Sequence, residues 1–344
     1  MNFDIALFLL QDGTINAAIY ALLALSLILV FSVTRVICLP QGEFVTYGAL
    51  TLALLQQGLF PATIYVVLVF GFLAAAYEVA GAFRATQRPS WSKLLLFLFY
   101  PPLLLLVLKS ITLANMSLGE QIFTTFCIVV PLGPMVYRVV FQPLADTSIL
   151  VLLVAAVAAH LVLVGIGLLI FGPEGFRTVP LSSAVFQVGP MFVSGQSIVV
   201  VIVSVALMLG FALALSMTLY GKALRATAVN RVGARIVGIR PEAAGTISFA
   251  LAAGTGVLCG ILMSPITTVH YDTGFVIALK GFVAAIIGGL ISYPIALLGA
   301  VFVGIVEAFA SFWASAYREV IVFAMIVPVL LLRSLKSASL EGDE

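Results

Sequence analysis

The chain has 344 residues, of which 63% are hydrophobic and 9% charged, with a mean hydropathy of +1.25 and a net charge of +2. A soluble domain carries about 25% charged residues, so this composition excludes a surface that faces water all round. The small net charge makes no field for nucleic acid. Cys38, Cys127 and Cys259 are too few and too far apart for a disulfide framework or a metal cluster.

Apolar runs recur along the chain, many near the ~20 residues that cross a hydrocarbon core as a helix. They are expected at 13–34, 42–57, 62–83, 92–108, 119–138, 148–170, 197–219, 242–264, 275–292, 295–313 and 319–333. The fold class is therefore an all-α, polytopic helical bundle of about eleven membrane segments. The 42–57 and 275–292 runs are short and contain glycine, so either could be broken or re-entrant. Pro101 and Pro102 interrupt 92–108, and paired prolines kink or break a helix. Residues 1–13 carry Asp4 and Asp12 and no Lys or Arg, the wrong charge for a secretory signal peptide.

Orientation follows from Lys and Arg, which stay on the cytoplasmic side of short loops. The most basic loop, 220–241, holds Lys222, Arg225, Arg231, Arg235 and Arg240. Placing it inside also puts inside the loops 139–147, 84–91 and 35–41, with Arg138, Arg84, Arg88, Lys93 and Arg35 in or beside them, and the tail with Arg333 and Lys336. Lys109, Arg177 and Arg318 fall outside and Lys280 within a segment. The N-terminus is then outside and the C-terminus inside.

Two loops have structure of their own. In the outer loop 172–196, alternation at 183–188 and the Gly189–Pro190 turn predict a hairpin. In the inner loop, Leu224, Ala228, Val232, Ile236 and Ile239 recur at helical spacing and share one face. Arg231 and Arg235 share another, and Gly238 with Pro241 supplies stop signals. Such an amphipathic helix lies on lipid or fits a partner's groove.

Catalytic motifs are absent. Gly221–Lys222 lacks the flanking residues of a P-loop, and no H-E-x-x-H, G-x-S-x-G or C-x-x-C occurs. The chain is read as a non-enzyme without a cofactor. Charges at membrane depth face a cavity or a partner. Glu43, in Gln41–Gly42–Glu43, reads either as a first-turn stabiliser at a helix N-terminus or as a pathway residue. Lys280 either snorkels outwards or lines the path. Glu307 makes either an interhelix hydrogen bond or a pathway contact. Glu78 lies towards the cytoplasmic end of an apolar helix, where Arg84 is a candidate partner. Gly256 and Gly260 form a small-xxx-small pattern that permits close helix packing, within the chain or at a subunit interface.

These features together resemble the LivH-type permease of branched-chain amino-acid ABC importers. Three blocks carry the resemblance. The first is Asn16 to Leu22, continuing to Gln41–Gly42–Glu43–Phe44 and Gly48–Ala49. The second runs from Leu224–Arg225–Ala226–Thr227–Ala228 through Ala234–Arg235 to Gly238–Ile239. The third is Leu279–Lys280–Gly281–Phe282 to Gly288–Gly289–Leu290, then Pro294, Gly299 and Glu307. The hairpin from Phe186 to Gln196 also fits, and about three-quarters of the chain is covered. Gln41 stands where the family commonly has His, and residues 84–118 resemble an inserted helical pair absent from shorter relatives.

The resemblance implies a single permease domain that pairs with a second, related permease, with two cytoplasmic ATPase subunits below and a periplasmic binding protein above, in a bacterial inner membrane. It implies that 222–239 is the ATPase-coupling helix, presenting Leu224, Arg225, Ala228, Arg231, Ala234, Arg235, Gly238 and Ile239. Gln41, Gly42, Glu43, Lys280 and Glu307 are the candidates for the translocation path. The implied cargo is a branched-chain or related hydrophobic amino acid, with urea, amides and aromatic acids as alternatives. A stand-alone secondary transporter would need its own coupling-ion site, for which Glu307 is the main resource, and a lipid-modifying enzyme would need clustered Asp, His or Cys.

Overall fold

The computed structural model describes residues 3–84, 91–189 and 191–331. Arg88 of the expected inner loop, Pro190 of the hairpin turn, and Arg333 and Lys336 of the tail lie outside the described residues. The helices are α1 (Phe3–Thr34), α2 (Gln41–Gln56), α3 (Thr63–Arg84), α4 (Trp91–Ser110), α5 (Leu118–Val129), α6 (Leu132–Val136), α7 (Ile149–Phe171), α8 (Gly195–Met217), α9 (Leu219–Val229), α10 (Arg231–Ile236), α11 (Pro241–Met263), α12 (Thr273–Ile287), α13 (Tyr293–Trp313) and α14 (Arg318–Ala324). Between α7 and α8, strand β1 (Val185–Val188) pairs antiparallel with β2 (Met191–Ser194), with Phe186 opposite Val193.

Among the described residues seven helical stretches are long and apolar enough to cross a membrane: Asp4–Thr34, Thr63–Gly81, Leu118–Leu144, Ile149–Phe171, Gly195–Met217, Pro241–Met263 and Tyr293–Trp313. The remaining expected segments are shorter or interrupted. Leu94–Ser110 and α12 are apolar but below that length, and the helix from Arg318 is interrupted at Met325 before resuming at 326–331. Helix α2 has 16 residues, nearly all buried by protein. Within the expected helical pair at 84–118, the described residues hold the end of α3 at Arg84, then α4 and a 3-10 turn at Leu113–Asn115.

Helix α4 runs unbroken through Pro101 and Pro102. A proline removes the N–H that would bond the carbonyl four residues back. That carbonyl, of Phe97, lies against Gly71 of α3, where a Cβ would sit 2.8 Å from it and 2.9 Å from the Pro101 ring. The bare glycine lets the freed carbonyl and the ring nest against the neighbouring helix.

The described chain divides into two compact units. One comprises residues 29–181 and 211–276. Its core is α2 against α11, where glycines replace side chains along the contact. A Cβ on Gly48 would meet Val257 backbone at 2.7 Å, one on Gly260 the Val45 carbonyl at 2.2 Å, and one on Gly256 the Phe44 side chain at 2.7 Å. The Gly256–Gly260 pattern therefore serves packing within the chain. Helix α6 reaches α11 through Gly133, which rests on the Phe249 carbonyl, and the rings of Tyr137 and Phe141 lie 5.0 and 5.2 Å from Phe249.

The other unit comprises residues 1–28, 182–210 and 277–344. Here α13 packs on the first half of α1, with Gly304 so close that a Cβ would sit 2.5 Å from the Gly13 carbonyl. The second half of α12 reaches α1 where Gly281 meets Leu23. Helices α1, α8 and α12 contribute residues to both units.

Candidate functional site

In the unit built on α2, the first turn of that helix gathers the polar groups. Pro40 precedes it, and Gln41, Gly42 and Glu43 are all buried. Gly42 is required: a Cβ there would sit 2.7 Å from the backbone of Gly274 and Phe275. The Gly274 N–H donates to Thr46 Oγ1 at 3.0 Å, which fastens the start of α12 to α2. Gln41 Nε2 donates to the Ala252 carbonyl of α11 at 2.9 Å.

Glu43 Oε1 lies 2.7 Å from His160 Nδ1 of α7. The imidazole stacks on Phe275, ring centroids 4.0 Å apart. One turn further along α2, the Tyr47 hydroxyl donates to the Leu163 carbonyl at 2.8 Å. The second carboxylate oxygen of Glu43 is buried without a hydrogen-bond partner, as is Gln41 Oε1. Glu43 is thus more than a first-turn stabiliser, because it binds α2 to α7. Beside it, in the loop before α2, burial and then the Glu43 charge push the Cys38 thiol upward. His160 is a partner that sequence reasoning missed. The signal was available, since it is the sole ionisable residue in a 23-residue apolar helix and an ionisable group at membrane depth demands a partner.

In the other unit, Lys280 Nζ donates to Glu307 Oε1 at 2.6 Å, and both residues are 4% exposed. Lys280 also donates to Glu319 Oε1 at 3.1 Å. The Tyr20 hydroxyl of α1 donates to Glu307 Oε2. Arg318 holds Glu319 at 2.9 Å and lies 3.7 Å from Glu307. Two carboxylates and two cations are therefore joined across α12, α13 and α14. The Lys280 ammonium is held between Glu307 and Glu319. Tyr20 and Glu319, absent from the sequence-based site, complete this network.

The inner basic element differs from the single helix expected over 222–239. Asn230 is extended (φ −150°) and ends α9, and its side chain then caps α10 by accepting from the Gly233 N–H at 2.8 Å. The break resets the helical phase and divides the expected apolar face. Leu224 packs with Leu29, Val33 and Ala244, and Ala234 is buried, whereas Val232 and Ile236 are 71% and 81% exposed. Gly238 (φ 86°) and Ile239 lie beyond α10 and close it: the Ile239 N–H bonds the Ala234 carbonyl and the Gly238 N–H that of Arg235. This is a glycine-terminated Schellman cap, in which the left-handed residue must be free of a Cβ penalty.

The arginines also part company. Arg231 is half-buried, with Nη1 donating to the Ala145 carbonyl at 3.0 Å. Arg235 is exposed, 3.3 Å from Glu242, and Arg225 reaches the Ser216 carbonyl at 3.4 Å. Lys222, Arg225, Asn230 and Gly233, with Val229 and Val237, border a groove of about 550 Å³. Glu78 pairs with Arg138 of the π-turn Tyr137–Phe141.

A predominantly helical chain with seven membrane-length apolar helices among its described residues is a polytopic membrane protein. The family described as branched-chain amino acid transport system / permease component matches residues 122–330. That match takes in α9, α10, Lys280, Glu307 and Glu319, and the chain belongs to this family of transport components. Among curated relatives, the high-affinity branched-chain amino acid transport system permease protein BraD of Pseudomonas aeruginosa is 26% identical over 208 residues, 58% of this chain and 68% of that protein. The corresponding permease protein LivH of Escherichia coli strain K12 is 27% identical over 207 residues, 58% of this chain and 67% of that protein. No solved structure matches the chain.

Proposed function

We propose that the chain is the permease subunit of an ATP-binding-cassette importer and forms half of the translocation pathway for branched-chain or related hydrophobic amino acids. The single observation that carries this is the family match over 122–330, which spans both the basic docking element and the charged network on α12–α14. The high-affinity branched-chain cargo named for the relatives supports the substrate class.

In this reading ATP hydrolysis resides in two separate cytoplasmic subunits that dock on α9 and α10. Their footprint comprises Arg225, Arg235 and the exposed Val229, Val232, Ile236 and Val237, with Arg231 holding the element from behind. The N-terminus is periplasmic and the C-terminus cytoplasmic in a bacterial inner membrane. The β1–β2 hairpin, which exposes Phe186 and Phe192, helps seat a periplasmic binding protein. A second, related permease completes the pathway. Glu43 with His160, and Lys280 with Glu307, brace the helices beside that pathway, and Gln41 and Gly42 set the position of Glu43.

The test is co-purification of the tagged chain with its ATPase subunits, comparing the wild type with a Val232→Glu, Ile236→Glu double variant. Both side chains are exposed, so the fold is expected to tolerate the change. Retention by the wild type and loss by the variant, at equal membrane insertion, is the expected result. A folded wild type that retains no ATPase would overturn the proposal.

A further inference from the structure

A cleft of about 590 Å³ runs between the second half of α4 and most of α5. It is lined by the apolar Leu104, Val107, Leu108, Ile111, Phe123 and Cys127, and near the α4–α5 connection by Thr112, Asn115 and Glu120. We propose that this cleft is a binding site for one acyl chain of a membrane phospholipid.

The surroundings fix the medium that meets the cleft. Leu95, Leu96, Phe99, Leu103 and Leu106 of α4 are all about half exposed or more, and all are apolar. A helix surface of this kind is stable against hydrocarbon and not against water. Val107, Ile111 and Phe123 line the cleft and are themselves exposed and apolar, so the hydrocarbon that meets α4 also meets the cleft. From Leu104 to Ile111 the α4 wall is about 10 Å long at 1.5 Å per residue, a stretch of an extended hydrocarbon chain.

Polarity divides along the cleft as it does along a lipid. Leu104 and Cys127 lie at the end away from the α4–α5 connection, and Leu108 is buried. The opposite end is the connection between α4 and α5, where Thr112 and Asn115 offer hydroxyl and amide groups to the ester region. Glu120 is already engaged, its carboxylate accepting from the Ser117 N–H at 2.7 Å as part of the α5 capping box. The residues that line the cleft include no Lys or Arg, so the contacts it offers are to the chain and the ester region. The α4 wall lies outside the residues that the family matches, 122–330, and Phe123 and Cys127 lie within them.

Gly119 provides a clean block. A Cβ built on it meets nothing within 4 Å, and the residue borders the cleft, so Gly119→Phe fills the space without a clash and Gly119→Ala leaves it open. The experiment is photolabelling in native membranes with a phosphatidylethanolamine that carries a diazirine midway along one acyl chain, followed by peptide mapping. Helices α7 and α8, whose apolar faces are broadly exposed, give the baseline for lipid that merely surrounds the protein. Labelling of 104–127 several-fold above that baseline, kept by Gly119→Ala and lost by Gly119→Phe, is expected. Labelling equal to the baseline, or unchanged by Gly119→Phe in a folded protein, would overturn the proposal. So would labelling below the baseline in membranes that rises once the chain is purified alone, since a protein neighbour would then cover the cleft.

Discussion

His160 Nδ1 and Glu43 Oε1 are 2.7 Å apart although 117 residues separate them in the chain. Two groups that each resist burial are buried together, and neither has an equivalent partner among the described contacts. Removing one partner of a buried hydrogen bond leaves the other unsatisfied, at a cost of about 1–3 kcal/mol, and more if that group is charged. His160→Ala is therefore expected to lower thermal stability in detergent sharply. His160→Ala combined with Glu43→Gln is expected to recover much of the loss, because the remaining amide carries no charge. Equal melting temperatures for the single and double variants would show that the pair contributes nothing.

Lys280 and Glu307 obey the same logic in the other unit. Lys280→Met strands Glu307, which then keeps Tyr20 and the more distant Arg318, and leaves Glu319 to Arg318. The expected loss is about 3–5 kcal/mol, read as reduced membrane-inserted protein and a lower melting temperature. Lys280→Met with Glu307→Gln should be milder than Lys280→Met alone. If the single variant is fully stable yet inactive in transport, Lys280 serves the cargo and not the fold.

Glycine positions divide by what surrounds them. Gly260→Ala would drive a Cβ to 2.2 Å from the Val45 carbonyl, and overpacking of this kind costs about 1–3 kcal/mol. Gly81→Ala, in α3 with nothing within 4 Å, should be neutral or stabilise by about 0.5–1 kcal/mol, since glycine inside a helix is the more costly residue. Thermal melting of the two single variants checks the contrast.

Arg231 and Arg225 predict different readouts. Arg231→Gln removes the bond to the Ala145 carbonyl, worth about 1 kcal/mol net. Hydrogen exchange should then quicken at 142–147. Arg225→Glu should leave that exchange unchanged while weakening ATPase retention. Faster exchange in both variants, or in neither, would remove Arg231's assignment as a strut.

Helix existence and extent were legible because the forces that decide them are local. A run of apolar residues near bilayer thickness is a helix whatever its neighbours, and α3, α7, α8, α11 and α13 begin and end within about two residues of the expected bounds, the usual disagreement at helix ends. The hairpin was equally local, written in alternation and a Gly189–Pro190 turn. The break at Asn230 was not. Spacing alone continues one helix through 222–239, but Asn230 competes for backbone N–H groups as an N-cap, and the burial of Leu224 and Ala234 holds the two pieces in different phases.

Composition and apolar periodicity alone determined that this protein is a polytopic helical membrane protein, because hydrocarbon leaves the backbone no alternative but to satisfy itself within each helix. They also marked Glu43, Lys280 and Glu307 as residues that need partners. Tertiary structure alone decided which partners those are. A charged side chain specifies only that something complementary must be near, and His160, Glu319 and Tyr20 are brought there by contacts such as Gly42 on Gly274 and Gly304 on Gly13, which join residues far apart in the sequence.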